Sequence, residues 1–330
     1  MIIKRFNMKK ALIFGVTGQD GSYLAKFLLE KKYKVFGTSR KFSTKKLTNL
    51  KILGIEPKIQ KIETNFNSPK SIQNAIHFSK PDEIYNLAGV SSVLDPFKNP
   101  ILTAKINGLA VLHILETIRM FYPKTKFFQA SSSEMFSSSK VKLTEESPFV
   151  PKTPYAISKV FAHEMTIQYR KNFQLFTCCG ILFNHESPLR GLEFVTRKII
   201  NSMIKIKNHQ IDEFVLGNID SERDWGFAGD YVKAMWLMLQ NKNPDDFVLA
   251  TGESHSIREL LEITSRSCGL DNWEKYVQID NSLKRQNDYL KKIGDSSKAT
   301  RFLKWKPTMT FPKLIQMMIK YDIAQLDKNT

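Results

Sequence analysis

The chain has 330 residues, 42% hydrophobic and 25% charged, which suits one large domain or a core domain with a smaller lobe and excludes a disordered or fibrous chain. Its three cysteines, Cys178, Cys179 and Cys268, contain no CxxC pair and exclude a disulfide framework or a zinc site, so no metal and a reducing, cytoplasmic setting are expected. A formal charge of +18 attracts phosphate, but pairs such as Lys9-Lys10, Lys45-Lys46 and Lys291-Lys292 are scattered along the whole chain.

That scatter describes a solvated surface, and no nucleic-acid partner is expected. No membrane partner is expected either, because no apolar run is counted that approaches the roughly 20 residues of a spanning helix. The start, "MIIKRFNMKK", is basic and runs straight into "ALIFG" without a separate apolar region and cleavage site, which argues against a signal peptide. Met8 is a second candidate start.

"ALIFG" (11–15) reads as a strand and 21–32 as a helix, joined by "GVTGQDG" (15–21). Gly15, Gly18 and Gly21 allow a tight turn and close backbone approach, and amides at the helix start can then hold a pyrophosphate. Thr17, Gln19 and Asp20 complete the candidate cofactor turn. The G-x-x-G-x-x-G spacing is one residue wider than the usual dinucleotide fingerprint, and a bare structural turn is the alternative; the strand-turn-helix context favours the nucleotide.

The next strand, 33–39, ends in "TSRK", with Arg40 and no carboxylate. A cation there suits the extra phosphate of NADP, whereas an acid would suit the ribose of NAD; an ordinary basic loop is the alternative. A strand near 58–63, a helix over 69–79 and a strand over 83–89 follow. The end of the last supplies Leu87, Ala88 and Gly89 as further cofactor candidates.

A helical stretch over 101–121 leads to a strand over 126–132, whose end reads "SSSEMF". Ligands of open parallel sheets bind at strand carboxyl ends, which makes Glu134 a candidate for chemistry; a helix cap or solvated turn is the alternative. This alternation of strands and helices predicts an α/β fold, a Rossmann-type doubly wound parallel sheet with a smaller α/β substrate-binding lobe at the C-terminal side.

Beyond a loop marked by Pro148, Pro151 and Pro154, "YAISK" opens a helix over 155–172 and places Tyr155 and Lys159 on one face. A phenol with its ordinary pKa of about 10 is a poor base at neutral pH. Lowering that value by about three units takes roughly 4 kcal/mol of preferential stabilisation, toward which a neighbouring lysine ammonium and the positive charge of an oxidised nicotinamide would both act.

A strand over 175–183 follows, then "NHESPLRG" (184–191), expected to be irregular because Pro188 and Gly191 break helix and ladder alike. Helices near 194–206, 228–240 and 256–267 and a short strand over 246–251 complete the pattern. The expected division is a mainly NADP-binding domain over 9–183 and a substrate-binding lobe over 184–330, with the segment near 228–268 returning to the first; the resemblance described next implies that the lobe mainly binds a nucleotide-sugar.

The glycine turn, the serine run and the Tyr/Lys pair together resemble the extended short-chain dehydrogenase/reductase family. "GILFNHESPLRG" (180–191), "FVTRKI" (194–199), "LGNIDSERDWGFAGDYVKAMWLMLQ" (216–240) and "ATGESHSIREL" (250–260) are similar to strings of its nucleotide-sugar dehydratases, over about residues 9–325. The resemblance implies NADP-dependent dehydration of GDP-mannose to GDP-4-dehydro-6-deoxy-mannose, with Ser132, Glu134, Tyr155 and Lys159 catalytic. It also implies substrate contacts from Ser91, Asn184, Val195, Lys198, Leu216, Gly217, Arg223, Arg285 and Asp288.

Where relatives carry "LAAQSHV" this chain has "LAGVSSV" (87–93), Asn65 stands where an acid is common, and "RQNDYL" (285–290) replaces "RPAEVD". The segment "RKFSTKKLTN" (40–49), which supports tetramers in relatives, is short. A homodimer is therefore expected, with a tetramer as the alternative. The other readings are a different GDP-sugar such as a GDP-heptose, a 4-keto reductase, and a non-catalytic nucleotide-binding regulator.

Overall fold

A computed structural model describes residues 8–90, 97–283 and 291–326. One unit gathers the residues up to Met135 with Phe149–Ile181 and Val232–Phe247; a second gathers Phe136–Pro148, Leu182–Tyr231 and the residues from Val248 on.

The first unit alternates strand and helix: β1 (Lys10–Phe14), α1 (Gln19–Glu30), β2 (Lys34–Ser39), α2 (Thr48–Ile52), β3 (Gln60–Glu63), α3 (Pro69–Ser79) and β4 (Glu83–Asn86). Next comes one helical run made of α4 (Pro100–Ala104), a π-helical turn (Lys105–Leu109) and α5 (Ala110–Phe121), then β5 (Lys126–Ser132), α6 (Pro154–Phe173) and β6 (Thr177–Leu182). Strands covered on both faces are buried without alternation. That is what "KALIF" and "KFFQASS" show, each buried at every position after its first lysine, with Gln129, Ser131 and Ser132 the buried polar residues of the second.

The later elements are β7 (Asn184–Glu186), α7 (Val195–Lys207), β8 (Phe214–Leu216), β9 (Glu222–Arg223), β10 (Trp225–Phe227), α8 (Ala228–Gln240), β11 (Phe247–Leu249), β12 (His255–Ser256), α9 (Ile257–Cys268), β13 (Val277–Ile279), α10 (Ser297–Leu303) and α11 (Phe311–Leu326). Seven strands form the main sheet in the order β11-β6-β5-β4-β1-β2-β3, and the pairs β1–β2, β1–β4, β2–β3 and β4–β5 run parallel. This is a Rossmann-type doubly wound sheet. Its strand order reverses between β1 and β4, where such folds bind ligands.

Helix starts follow the local chemistry. Pro154 occupies the first position of α6, where its missing N–H costs nothing, and Thr153 accepts a hydrogen bond from Ala156 N at 3.1 Å. Ser68 does the same for α3 and Ser256 for α9. In the second unit α7, α9 and α11 bury Ile200, Met203, Leu261, Leu314 and Met318 together. Each such side chain contributes about 1.5–3 kcal/mol when fully buried.

Two sequence expectations are corrected. Residues 184–191 are not irregular throughout, because Asn184–Glu186 pair in parallel with Trp225–Phe227; Pro188 and Gly191 lie just beyond the three ladder residues. The run Pro100–Phe121 is also long and apolar enough to cross a membrane by length and composition, with a mean hydropathy of 1.4, a count that its interspersed polar residues had hidden. More than half of that window is buried, through Ile106, Val111, Ile114 and Ile118 among others, and a core helix passes the same test. Helices α10 and α11 were not foreseen.

Candidate active site

The end of β1 turns at Gly15, whose φ of +85° is left-handed. A Cβ there would lie 2.9 Å from Ala88 N, so the turn abuts the Leu87–Ala88 segment that leaves β4. Gly21 is tighter still: its Cβ would meet Gly15 O at 2.2 Å and Val16 Cα at 2.7 Å. The N-cap of α1 is Gly18, which has no side chain to cap the helix, and a helix start of this kind suits an anionic ligand. Asn49 Nδ2 donates to Thr17 O at 3.3 Å and Gln19 Nε2 to Asp20 Oδ1 at 3.1 Å. The expected cofactor residues of the glycine turn and of β4's end are thus brought together, in a cradle that fits a dinucleotide pyrophosphate.

Arg40 follows β2 and is exposed. The register of β2 with β3 places Glu63 opposite Ser39, and its Oε1 accepts from Phe42 N at 3.3 Å. A carboxylate therefore does stand close to the end of β2, delivered by the neighbouring strand, where linear reading found none.

Ser132 closes β5, and its Oγ accepts from Glu134 N at 3.2 Å. Ser132 therefore caps the short 3-10 turn Ser133–Met135, the cap that the sequence offers as the alternative to chemistry. The same turn leaves Glu134 exposed while its neighbours Ser133 and Met135 are buried. One turn into α6, Lys159 is buried and its Nζ donates to Ala130 O at 2.8 Å, two residues before Ser132. That ammonium lies 5.8 Å from the Tyr155 ring centroid. Burial pushes the Lys159 pKa down to about 8, against the opposing pull of the Asp20 carboxylate, so the amine stays mainly protonated at pH 7. Strand end, helix face and glycine turn meet at Lys159.

Three residues here escaped the sequence reading. Asn107, in the π-helical turn, accepts from Val90 N at 2.8 Å and donates to Val90 O at 3.0 Å, holding the chain that leaves Gly89. A polar residue inside an apolar helical run was its only signal. Ser131 Oγ and His163 Nδ1 lie 2.9 Å apart, both buried. His163 continues the i, i+4 series of Tyr155 and Lys159, a spacing that could have revealed it.

Burial pushes the His163 pKa down to about 4, with the Asp246 carboxylate opposing and Arg170 reinforcing. The unfolded chain therefore takes up the proton first. Stability is complete above pH 6.5 and falls as pH drops toward 4, by an upper bound of about 3 kcal/mol. Urea unfolding at pH 7 and pH 4.5 is expected to show a larger loss in the wild type than in His163→Asn; equal losses would remove this residue from the acid response.

In the second unit, Asn184 opens β7 and Val195 opens α7. Lys198 Nζ donates to Val215 O at 2.7 Å, which brings it beside Leu216 and Gly217; a Cβ on Gly217 would meet Leu283 O at 2.9 Å. Arg223 Nη1 donates to Glu222 O at 2.8 Å. Its neighbour Asp224, fully buried, accepts from Thr251 N and Oγ1, Gly252 N and Gly294 N. Val195, Lys198, Leu216 and Gly217 thus share one locale. Ser91, Arg285 and Asp288 lie outside the described residues.

The sequence model of the family described as GDP-mannose 4,6 dehydratase matches residues 12–318. GDP-mannose 4,6 dehydratase 1 of Arabidopsis thaliana is 44% identical over 325 residues, covering 96% of this chain and 90% of the relative. GDP-mannose 4,6 dehydratase of Homo sapiens is 39% identical over 345 residues, covering 97% and 92%. Among solved structures, dTDP-glucose 4,6-dehydratase from Bacillus anthracis in complex with NAD superposes with a TM-score of 0.84 at 19% identity, covering 97% of this chain and 98% of that one, a likeness of fold. With the glycine turn, the Ser132–Glu134 strand end and the Tyr155/Lys159 helix in place, this chain belongs to the GDP-mannose 4,6 dehydratase family, whose members are nucleotide-sugar 4,6-dehydratase enzymes.

Proposed function

We propose that the protein removes water from GDP-mannose to give GDP-4-dehydro-6-deoxy-mannose, using a tightly held NADP that is regenerated in each turnover. The observation that carries this reading is the meeting of Ser132, Glu134 and the Tyr155/Lys159 pair around the end of β5, through the bond from Lys159 Nζ to Ala130 O. The turn 15–21 with Ala88 and Gly89 would hold the cofactor, and Arg40 its extra phosphate. When bound there, the nicotinamide would supply the hydride acceptor for C4 and the hydride donor for C6.

The remaining steps belong to this chain's own residues. Ser132 Oγ donates to the sugar's 4-hydroxyl oxygen, and Tyr155, its phenolate favoured by the Lys159 ammonium, takes the hydroxyl proton. The resulting 4-ketone acidifies the hydrogen on C5, and Glu134 abstracts it. Glu134 then protonates the departing 6-hydroxyl, so one water leaves and the double bond forms between C5 and C6. After hydride return, C5 is reprotonated and the balance is the loss of one water. Asn184, Val195, Lys198, Leu216, Gly217 and Arg223 are the residues proposed to hold the nucleotide diphosphate, and Lys and Arg suit its phosphates.

A homodimer fits the exposed apolar side chains of the first unit, Ile101 and Leu109 on one helical run and Ile157 and Phe161 on α6. A cytoplasmic setting fits the three cysteines, which are all free and buried.

The test is incubation with GDP-mannose in deuterated water without added cofactor. The expected product is lighter by one water and carries deuterium at C5, and denaturation releases NADP. Turnover that consumes added NADPH one for one would indicate a 4-keto reductase instead. Release of NAD would overturn the cofactor reading and point to Glu63 as the deciding side chain.

A further inference from the structure

The three serines at the end of β5 are not equivalent. Ser132 faces the proposed chemistry, whereas Ser131, on the opposite side of the pleat, is buried against α6 with its Oγ 2.9 Å from His163 Nδ1. We propose that the Ser131–His163 pair is a positioning device for the catalytic set, fixing the register of α6 against β5 so that Tyr155 and Lys159 meet Ser132 and Glu134 correctly.

Apolar packing of Ala162 and Tyr169 seats α6 on the sheet, and directional polar contacts to β5 set its register; Lys159 Nζ to Ala130 O is one of them. His163 lies one helical turn beyond Lys159, and Ser131 one residue beyond Ala130. The two bonds, 159 to 130 and 163 to 131, therefore define a line rather than a point.

The surroundings keep this bond in place. The His163 ring meets the edge of Phe149 at 5.0 Å between centroids, and Cys179 Sγ donates to His163 O at 3.7 Å. The charged groups acting on the ring are Asp246 and Arg170, which also pair with each other. Burial leaves the imidazole neutral at pH 7, Arg170 reinforcing and Asp246 opposing, and a hydroxyl can both donate and accept, so the bond forms in either tautomer.

This inference rests on the proposed roles of Tyr155, Lys159 and Ser132, and the test separates the two. In purified holoenzyme, His163→Leu and Ser131→Ala are expected to lower kcat for GDP-mannose by about tenfold, while KM stays within about twofold. The acid limb of the kcat–pH profile is expected to move upward, because an ammonium held less closely to Tyr155 supports its phenolate less. His163→Asn, which restores an acceptor near the Nδ1 position, is expected to recover most of the lost rate, and the double variant should lose less than the product of the single losses.

Tyr155→Phe serves as the control. If it retains activity, the reading of the catalytic set fails and the pair has nothing to position. If Tyr155→Phe is inactive while a folded His163→Leu or Ser131→Ala keeps wild-type kcat and pH profile, the pair only stabilises the fold and the inference is overturned. Should His163→Leu fail to fold, Ser131→Ala decides alone, since it removes one hydroxyl and leaves the ring in place.

Discussion

Glu134→Gln is expected to lower turnover of GDP-mannose by about 10²–10⁴-fold, the range general acid-base groups supply. The side chain is exposed, and the cap at this turn uses its backbone N–H, which the substitution keeps. Thermal stability should accordingly change by less than about 0.5 kcal/mol, so lost activity would be chemical in origin. The loss should also be selective. In the proposed mechanism, oxidation at C4 uses Tyr155 and Lys159 but not this carboxylate, so reduced nicotinamide is expected to accumulate on mixing with substrate, without water loss or deuterium at C5. Unchanged dehydration in this variant would remove Glu134 from the reaction.

Gly21→Ala is expected to be the most damaging small substitution in the glycine turn. The added methyl would sit 2.2 Å from Gly15 O and 2.7 Å from Val16 Cα, and neither backbone atom can yield without opening the turn. A cost of about 2–4 kcal/mol follows from overpacking of this kind, together with a large drop in cofactor affinity as the α1 start moves away from β1. Gly54→Ala is the comparison. Its φ of +65° brings strain, but no atom lies within 4 Å of the added carbon, so about 1 kcal/mol is expected. Urea unfolding of both variants, with cofactor titration of each, measures the difference. Equal midpoints would show that strain rather than contact governs the turn.

The legible parts of the sequence were those whose signal is local. "ALIFGVTGQDG" carries a strand, a turn and a helix start in eleven residues, and "YAISK" carries its own helical spacing, so both were readable. Pro154 illustrates the limit of local rules, since it was taken as a loop mark and is the first residue of α6. Other features depend on neighbours distant in sequence. The ladder of Asn184–Glu186 needs Trp225–Phe227, and no property of "NHE" announces a partner about 40 residues away. Glu63 reaches the end of β2 only through the strand pairing. Asn107 and His163 looked like ordinary polar residues in helices because their partners, Val90 and Ser131, belong to other elements. Among the residues proposed for catalysis, Ser132 closes β5 and Tyr155 and Lys159 share the first turns of α6, so strand end and helix spacing alone single them out.

Asp224 joins pieces of chain that the backbone keeps far apart. Its carboxylate is bonded to Thr251 and Gly252 on one side and to Gly294 on the other. A backbone cut between Gly252 and Gly294 would therefore leave the two flanking segments hydrogen-bonded to the same acid. One carboxylate thus acts as a non-covalent clasp, and it sits next in the chain to Arg223.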